Sequence, residues 1–357
     1  MQTIAPHEIS VVVQGPLYLG ATPSIYDCLA SIRQHLPEAE IVVSTWRSEP
    51  DLALPGVRMI RSGSVPPMID IDGRPINTRR QRLSTLRGIE AATRPFVLKF
   101  RADHRLLDSR IARLGHYEAG PLAKYRLFTS PITTTTMFFR DPCAAPMLFH
   151  PSDLVQFGRR KDLLSFWSAP PIAVSEYFLP SPRANPFGNC IRFTARRYVP
   201  EQELMIAFLR SRGYDVALTS VCHFDFRLMR LSESALLENF VTLDWQHSGI
   251  EFPLRLQQRA SRQKTDYSAV RIERTRRLIT TRWYLLRSIM ALANKYATST
   301  FTRKWWRWSL SLLLLRSPRY LAKRRKRNFQ RYGLSPSDVT ANNSPRWRIS
   351  LSKVPKT

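Results

Sequence analysis

The stretch "FVLKFRAD", Phe96 to Asp103, decides how the chain is interpreted. Its first positions are mostly apolar, and Arg101 and Asp103 end the run. A short apolar run of this kind predicts a buried β-strand, here with an acidic residue at its carboxyl end. Asp103 is then either a ligand for a metal-bound phosphate or the polar end of a core strand, paired with Arg101 or Arg105.

Strand and helix patterns alternate on the amino-terminal side of this stretch. Strands are predicted at 8–16, 39–46 and 56–62, and helices at 22–37 and 77–93. The alternation predicts an α/β fold with a mostly parallel sheet and helices on its faces. Ligands of such sheets bind beyond the carboxyl ends of the strands, so the strand ends at 14–16, 44–46 and 101–103 should meet around a ligand.

The carboxyl-terminal side of the stretch is less regular. "PITTTTMFF" (131–139) predicts a strand, "SPRANPFGN" (181–189) a loop, and "PEQELMIAFLRSRGYDV" (200–216) a helix with Pro in its first turn. We also expect a returning strand at 217–229 and a helix that begins near Leu154.

The charge of the protein is concentrated in its carboxyl-terminal part. The 357 residues carry a net charge of +28, and 43% of them are hydrophobic. Residues 274–337 contain seventeen Lys and Arg and no Asp or Glu, whereas residues 1–273 have a net charge of +8. So large an excess predicts an anionic partner, which can be nucleic acid, a membrane surface or a phosphorylated substrate.

Several protein classes are disfavoured by missing patterns. The four cysteines are scattered without zinc spacing or a disulfide framework, which favours a reducing cytosol. We see no signal peptide and no apolar run of the ~20 residues that a spanning helix needs. The sequence lacks GxGxxG, GxxxxGK and GxSxG motifs, which disfavours a dinucleotide dehydrogenase, a P-loop kinase and an α/β-hydrolase.

Acidic and histidine residues near the predicted strand ends are candidates for chemistry. Asp103 can hold a Mg²⁺ or Mn²⁺ ion that bridges phosphates. Glu201 or Glu203 can accept a proton from a hydroxyl group, although acidic residues in a first helical turn are also common because they favour the helix dipole. His223 is either a second metal ligand or an interior hydrogen-bonded histidine.

Two further groups have both a binding interpretation and a structural one. Arg79, Arg80 and Arg82 follow Asn77 at a helix start, where they bind phosphate or form a solvated basic face. The segment from His150 to Asp153 contacts substrate or caps the following helix.

Read in order, the segments resemble a known family. "SVVVQGP", "CLASIRQHLPEAEIVVSTW", "NTRRQRLSTLRGIEAA", "FVLKFRAD", "FHPSDLVQFGRRKDLLSFW" and "VPEQEL" look like the WavE family of lipopolysaccharide-synthesis proteins, over about residues 8–225. That family is similar in layout to nucleotide-sugar glycosyltransferases of GT-A fold. The resemblance implies a nucleotide-sugar donor, a lipid-linked glycan acceptor such as a lipopolysaccharide core, and a divalent Mg²⁺ or Mn²⁺ ion.

The resemblance also implies roles for individual residues. "FRAD" stands where such enzymes carry Asp-x-Asp, so Arg101 replaces the first Asp, and the metal site is either Asp103 with a ligand such as His223 or is replaced by cationic side chains. Glu201 matches the catalytic position of inverting members, and Gln202 stands where their Asp base lies. The remaining implied contacts are Gln14, Gly15, Thr45, Trp46, Asn77, Arg79, Arg82 and Arg101 for the donor, and His150, Asp153 and Trp167 for the acceptor.

The basic tail mixes arginine with Trp and Leu at roughly helical spacing. This pattern predicts amphipathic helices that bind an anionic membrane surface. The protein would then be cytoplasmic and peripheral on the inner face of the plasma (inner) membrane. The alternatives are a helix pair packed on the body and a nucleic-acid patch attached to an inactive sheet domain. We favour the membrane because the leucine run at 310–315 has no use on a polyanion. We expect a transferase domain at 1–266, a basic helical region at 267–334 and a flexible tail at 335–357.

Overall fold

The computed structural model describes residues 1–20, 22–183, 191–315 and 317–340. Most of the loop predicted at 181–189 and of the tail predicted at 335–357 lies outside these residues. The strands are β1 (Gln2–Thr3), β2 (Ile9–Gln14), β3 (Glu40–Trp46), β4 (Arg58–Ser62), β5 (Met68–Ile69), β6 (Pro75–Ile76), β7 (Phe96–Arg101), β8 (Arg105–Leu106), β9 (Arg113–Leu114), β10 (Ile132–Thr135), β11 (Gln156–Arg159), β12 (Phe240–Leu243) and β13 (Ile250–Glu251). The helices are α1 (Ile25–His35), α2 (Thr78–Ala91), α3 (Arg160–Ser168), α4 (Val174–Tyr177), α5 (Ile191–Ala195), α6 (Pro200–Ser211), α7 (Phe226–Asn239), α8 (Leu254–Gln263), α9 (Ala269–Leu278), α10 (Tyr284–Tyr296), α11 (Arg303–Leu315) and α12 (Pro318–Tyr332).

A seven-stranded sheet is the centre of the molecule. Its order is β12-β10-β11-β7-β2-β3-β4, and the strands from β7 to β4 are parallel. Strand β12 runs parallel to β10, whereas β11 is antiparallel to both of its neighbours. The predicted α/β fold with a mostly parallel sheet is confirmed.

The two faces of the sheet carry separate apolar cores. Alternate residues of a strand point to opposite faces, so Val12 belongs to one core and its neighbours Val11 and Val13 to the other. Helix α1 covers one face, and Ser24 caps it by accepting a hydrogen bond from the Asp27 backbone. Because both faces are covered, β2 is buried along its whole length.

Helix α2 lies very close to the other face of the sheet. A Cβ atom added at Gly88 would be 2.3 Å from Cγ1 of Val12. Glycine is therefore what allows this helix to approach the strand. The approach places the first turn of α2 beside the carboxyl ends of β2 and β3.

Two secondary-structure predictions are wrong. The strand expected at 217–229 is instead an irregular segment followed by α7, whose first turn is capped by the Asp225 side chain through the backbone N–H of Leu228. This local cap favours a helix start over an extended chain. The helix expected near Leu154 is instead β11, and α3 begins only at Arg160. There the sheet supplies backbone partners on both sides of the segment, and pairing overrides the local pattern.

The basic helices continue the core of the body. Ile272, Ile279, Tyr284 and Ala291 belong to the same apolar core as the sheet residue Val12. No described helix has both the length and the apolar character needed to cross a bilayer.

Candidate active site

The carboxyl ends of three neighbouring parallel strands form one edge of the sheet. In register, Gln14 of β2 lies opposite Ser44 of β3 on one side and Arg101 of β7 on the other. The Gln14 side chain accepts a hydrogen bond of 3.0 Å from the hydroxyl of Ser84 in α2. Gly15 then turns the chain with φ of 113°, and its N–H donates to the carbonyl of Ser44. This turn requires glycine, since other residues rarely adopt such an angle.

Asp103 lies at this edge and is surrounded by cationic groups. Its Oδ1 accepts from Nε of Arg101 at 2.9 Å and contacts Nδ1 of His104 at 2.9 Å. Its Oδ2 accepts from Nη2 of Arg101 at 2.9 Å and from Nη2 of Arg255. Arg101 also donates to the Tyr18 hydroxyl, and the Arg255 guanidinium stands 5.7 Å from the centre of the Tyr18 ring.

These contacts keep Asp103 ionised. Burial opposes its ionisation, but the hydrogen bond from His104 and the charge of Arg101 lower its pKa well below the usual range of an aspartate. Burial lowers the pKa of His104, so that ring is neutral near pH 7. Asp103 is thus a fixed negative charge between two guanidinium groups.

A second cluster of charged residues lies next to the first. Lys99 of β7 is completely buried and donates to the backbone carbonyls of Asp153 and Leu154. Burial lowers its pKa to about 8, and the charge of Asp153 opposes the shift. The Asp153 side chain accepts a hydrogen bond of 2.5 Å from Gln81 of α2.

Glu201 belongs to this second cluster. Its Oε2 lies 3.5 Å from Nε2 of His150, and its side chain is 22% exposed, whereas His150 is buried. Burial and the positive charge of Arg140 lower the pKa of His150 to about 3, so the ring is a neutral neighbour of the Glu201 carboxylate. Its partial exposure leaves the Glu201 carboxyl group open to a substrate hydroxyl that approaches from solvent.

Electrostatic interactions connect the two clusters. Burial and the charge of Glu201 raise the pKa of Asp153, while the charges of Lys99 and Arg101 oppose that rise. The buried Asp153 carboxyl group therefore interacts both with Glu201 and with Arg101, the partner of Asp103. The site brings three carboxyl groups, two neutral imidazoles and several cations to one edge of the sheet.

Other predicted donor residues surround this edge. Thr45 and Trp46 end β3 and are buried. Asn77 is exposed at the start of α2, where its side chain makes no capping hydrogen bond. The half-buried Arg79 lies two residues later, in the first turn of the helix. These placements agree with a ligand that spans β3 and the α2 start.

Arg82 and Trp167 lie elsewhere than expected. Arg82 is 7% exposed, and its guanidinium donates to Glu203 at 3.3 Å and to the carbonyl of Trp167 at 3.2 Å. Trp167 is in the core and donates its indole N–H to Gln156. The expected donor contact of Arg82 and acceptor contact of Trp167 do not fit these buried positions, because each side chain is bound to other protein groups in the interior. Nη2 of Arg82 is buried and has no hydrogen-bond partner among the described residues. Glu203 is likewise committed to this ion pair, which leaves Glu201 as the accessible carboxylate.

The expected metal pair does not fit the surroundings of its members. His223 accepts from the Thr219 backbone and lies near Lys295 and Asp225. Both oxygens of Asp103 are engaged by guanidinium groups, whereas a metal ligand must offer free lone pairs. Within the described ranges, no three or more His, Cys, Asp or Glu side chains are grouped so that they could hold a metal ion.

Three site residues were missed by sequence reasoning. Lys99 gave a usable signal, because a lysine inside an apolar strand must find a buried partner. Arg255 gave none, since it reaches Asp103 from a helix 152 residues later in the chain. Tyr18 follows the Gly15 turn and has φ of 53°, which no sequence pattern announced.

Comparisons with known proteins agree with the motifs. The model of the WavE lipopolysaccharide synthesis family matches residues 9–317. No curated protein matches the sequence. One similar solved structure is the galactosyltransferase LgtC in complex with donor and acceptor sugar analogues, with 17% identity and a TM-score of 0.26 over 43% of this chain and 59% of that chain. Another is TarS of S. aureus, with 11% identity and a TM-score of 0.34 over 83% of this chain and 44% of that chain.

The chain therefore spans less than two thirds of either solved structure. Neither likeness is close enough to assign an activity to this protein. The family match covers most of the chain and confirms the resemblance found in the motifs.

Proposed function

Because the chain belongs to the WavE lipopolysaccharide synthesis family, we propose that it is a nucleotide-sugar-dependent glycosyltransferase. Its acceptor is a lipopolysaccharide core or another lipid-linked cell-surface glycan. One observation carries the proposal: the partly exposed carboxyl group of Glu201 and the Arg101 guanidinium that pairs with Asp103 both act on the buried Asp153 carboxyl at the ligand edge of the sheet. A sugar transfer needs a base for the acceptor hydroxyl and a cationic group for the leaving diphosphate.

The proposed reaction is a single displacement. Glu201 takes the proton of the acceptor hydroxyl, and that oxygen forms a bond to the anomeric carbon of the donor. The bond from that carbon to the diphosphate breaks, and its electron pair leaves with the diphosphate beside Arg101. A direct displacement inverts the anomeric configuration.

Substrate contacts follow from the same edge. We propose that Gln14 and Gly15 at the end of β2, with Trp46 at the end of β3, contact the donor's base and ribose. His150 and Asp153 are buried beside Glu201, and we propose that they orient it towards the acceptor. The donor and the acceptor then approach each other between the two charged clusters.

The experiment uses the full-length protein with a panel of UDP-, GDP- and CMP-sugars. Donor hydrolysis and transfer to lipopolysaccharide acceptors are measured for the wild type, Glu201→Gln and Glu238→Gln. Glu238 lies on α7 and is the matched control, because it pairs with Arg126 outside the site. We expect Glu201→Gln to lower kcat by about 10²–10⁴-fold with donor binding retained, since that is the usual contribution of a general base.

Each outcome has one meaning. A wild-type kcat for Glu201→Gln removes Glu201 from the role of the base. Failure of the wild-type protein to bind or turn over any nucleotide-sugar contradicts the proposed function.

The proposal includes a membrane-facing surface around α10. Trp283, Leu285, Leu286, Ile289 and Met290 are all exposed by 45% or more. Such a large exposed apolar patch is unusual on a surface that faces water.

A groove of about 760 Å³ adjoins these residues and is lined by Phe226, Arg227, Arg230 and Arg282 among others. None of its lining residues is acidic. Apolar side chains beside arginines complement anionic lipid headgroups and the acyl region below them. The occupant that we infer is an anionic bilayer surface, which is where a lipid-linked acceptor is found.

The membrane test requires the whole chain, because residues of α9 and α10 form part of the core. Sedimentation with vesicles that contain phosphatidylglycerol compares the wild type with Leu286→Glu/Met290→Glu. Val270→Glu is the control, since Val270 is 78% exposed on α9. We expect at least a tenfold loss of binding for the double variant only, because each apolar side chain contributes about 1.5 kcal/mol or more when buried. Unchanged sedimentation together with salt-sensitive RNA binding would favour the nucleic-acid alternative.

A further inference from the structure

We propose that Arg101 and Arg255, oriented by Asp103, bind the donor's diphosphate in place of a divalent metal ion. The inference rests on the proposed function and specifies how the leaving group is recognised. It would make donor binding independent of Mg²⁺ and Mn²⁺.

The Asp103 carboxylate is already fully engaged by neighbouring nitrogen atoms. Asp103 is 1% exposed, and each of its oxygens contacts two nitrogen atoms of Arg101, His104 or Arg255. A metal ion at this carboxylate would have to displace these hydrogen bonds. It would also bring a double positive charge next to two guanidinium groups, which repel it.

Arg101 and Arg255 keep N–H groups that Asp103 does not use. A guanidinium has five N–H groups in a planar fork that matches phosphate oxygens. In the described part of the chain, Asp103 uses Nε and Nη2 of Arg101 and Nη2 of Arg255. The Arg101 side chain is 20% exposed and the Arg255 side chain 56%, so both groups can still reach a ligand from solvent.

Tyr18 helps to hold Arg101 and Arg255 in place. Tyr18 contacts both arginines, through a hydrogen bond of 3.3 Å from Arg101 and through the face of its ring towards Arg255. Tyr18 belongs to the segment that follows Gly15 at the end of β2. The two cations therefore stand where a donor bound at the strand ends would place its diphosphate.

Charge at this position also agrees with the role. Arg101 and Arg255 give two positive charges against the single charge of Asp103. A diphosphate brings the negative charge that balances the excess. Arg101 stands at the first position of the motif "RAD", where the family resemblance implied a carboxylate, so a ligand of a cation has been exchanged for a cation.

The experiment measures binding of the nucleoside diphosphates UDP and GDP to the full-length protein by calorimetry. Each titration is run in EDTA and again with Mn²⁺. The variants are Arg255→Met and Arg255→Lys. Arg110→Met is the control, because Arg110 is similarly exposed and pairs with Asp108. Thermal melting establishes that each variant is folded.

For the nucleoside diphosphate that binds, we expect the dissociation constants in EDTA and in Mn²⁺ to agree within about twofold. Arg255→Met should weaken it by about 10- to 100-fold, the usual loss for a charge-assisted hydrogen bond. Arg255→Lys should fall between the two, because lysine keeps the charge but not the fork. Arg110→Met should bind as the wild type does.

Two results overturn the inference while the proposed function stands. One is binding that requires Mn²⁺ and disappears in EDTA. The other is unchanged binding by Arg255→Met. If no nucleotide binds under either condition, the proposed function fails together with the inference.

Discussion

The strongest structural prediction concerns Arg287, which fixes α10 to the body. Its guanidinium donates to Glu233 at 2.6 Å, to Asp141 at 2.8 Å and to the Tyr267 hydroxyl at 2.8 Å. The Glu233 side chain is completely buried, and that of Asp141 is 2% exposed. Arg287→Met would leave two buried carboxylates without their shared cation. Removal of one partner from a buried ion pair costs about 3–5 kcal/mol, and we expect a loss of that size.

The matched control is Arg277→Met on the neighbouring helix. Arg277 pairs with Glu273 four residues earlier, and their side chains are 78% and 54% exposed. An exposed helix pair contributes only about 0.3–0.5 kcal/mol. Urea unfolding of the wild type and both variants, followed by circular dichroism, gives the free energies of unfolding. A loss below about 1 kcal/mol for Arg287→Met would refute the argument that this helix is bound through a buried charge network.

Two further predictions concern packing and pH. Gly88→Ala should lower the free energy of unfolding by about 1–3 kcal/mol despite the better helix propensity of alanine, because the new Cβ would overlap Val12; an equally stable or more stable variant in urea would contradict the close approach of α2. The pKa of His150 is about 3 in the folded protein because of burial and Arg140, whereas an unfolded histidine titrates near 6.5. The unfolded chain therefore binds the extra proton between these values, and stability should fall as the pH drops below about 6.5. His150→Asn should make that slope shallower by up to one proton's equivalent, and an unchanged slope in urea titrations at pH 4–7 would contradict the buried neutral ring.

Local pattern was sufficient for the parallel half of the sheet. The β-branched run before Gln14 and the apolar run before Arg101 became β2 and β7, and their ends lie opposite each other in register. Burial on both faces leaves such runs with no conformation as favourable as a central strand. Helix α1 follows its Ser24 cap, and α2 and α6 follow their apolar periodicity, because those signals act within a few residues.

Local pattern failed where a distant partner decided the structure. The segment after Leu154 is a strand because β7 and β10 offer hydrogen-bond partners on both sides. Arg82 looked like a phosphate ligand at a helix start, yet Glu203 from a helix 121 residues later holds it in the interior. A sequence window that contains one member of such a pair cannot show the other.

The basic tail shows the same limit. Its charge and apolar residues predicted helices, and α9 to α12 are present. The structure divides their cations into two groups: Arg287 binds Glu233 inside the protein, and Arg324 donates to the buried Asp72 at 3.1 Å, while Arg282 remains at the surface beside Trp283. Membrane binding therefore stays a proposal about the exposed group alone.

The sequence by itself determined the class of fold, the strand ends that form the ligand edge, and the family, because short apolar periods and motif spacing are local properties of the chain. The tertiary structure decided which charges meet at that edge. Asp103 could be read as a metal ligand until Arg255 was found beside it, 152 residues further along the chain. Whether a carboxylate holds a metal or orients a guanidinium depends on the groups within about 4–6 Å of it, and only folding sets those distances.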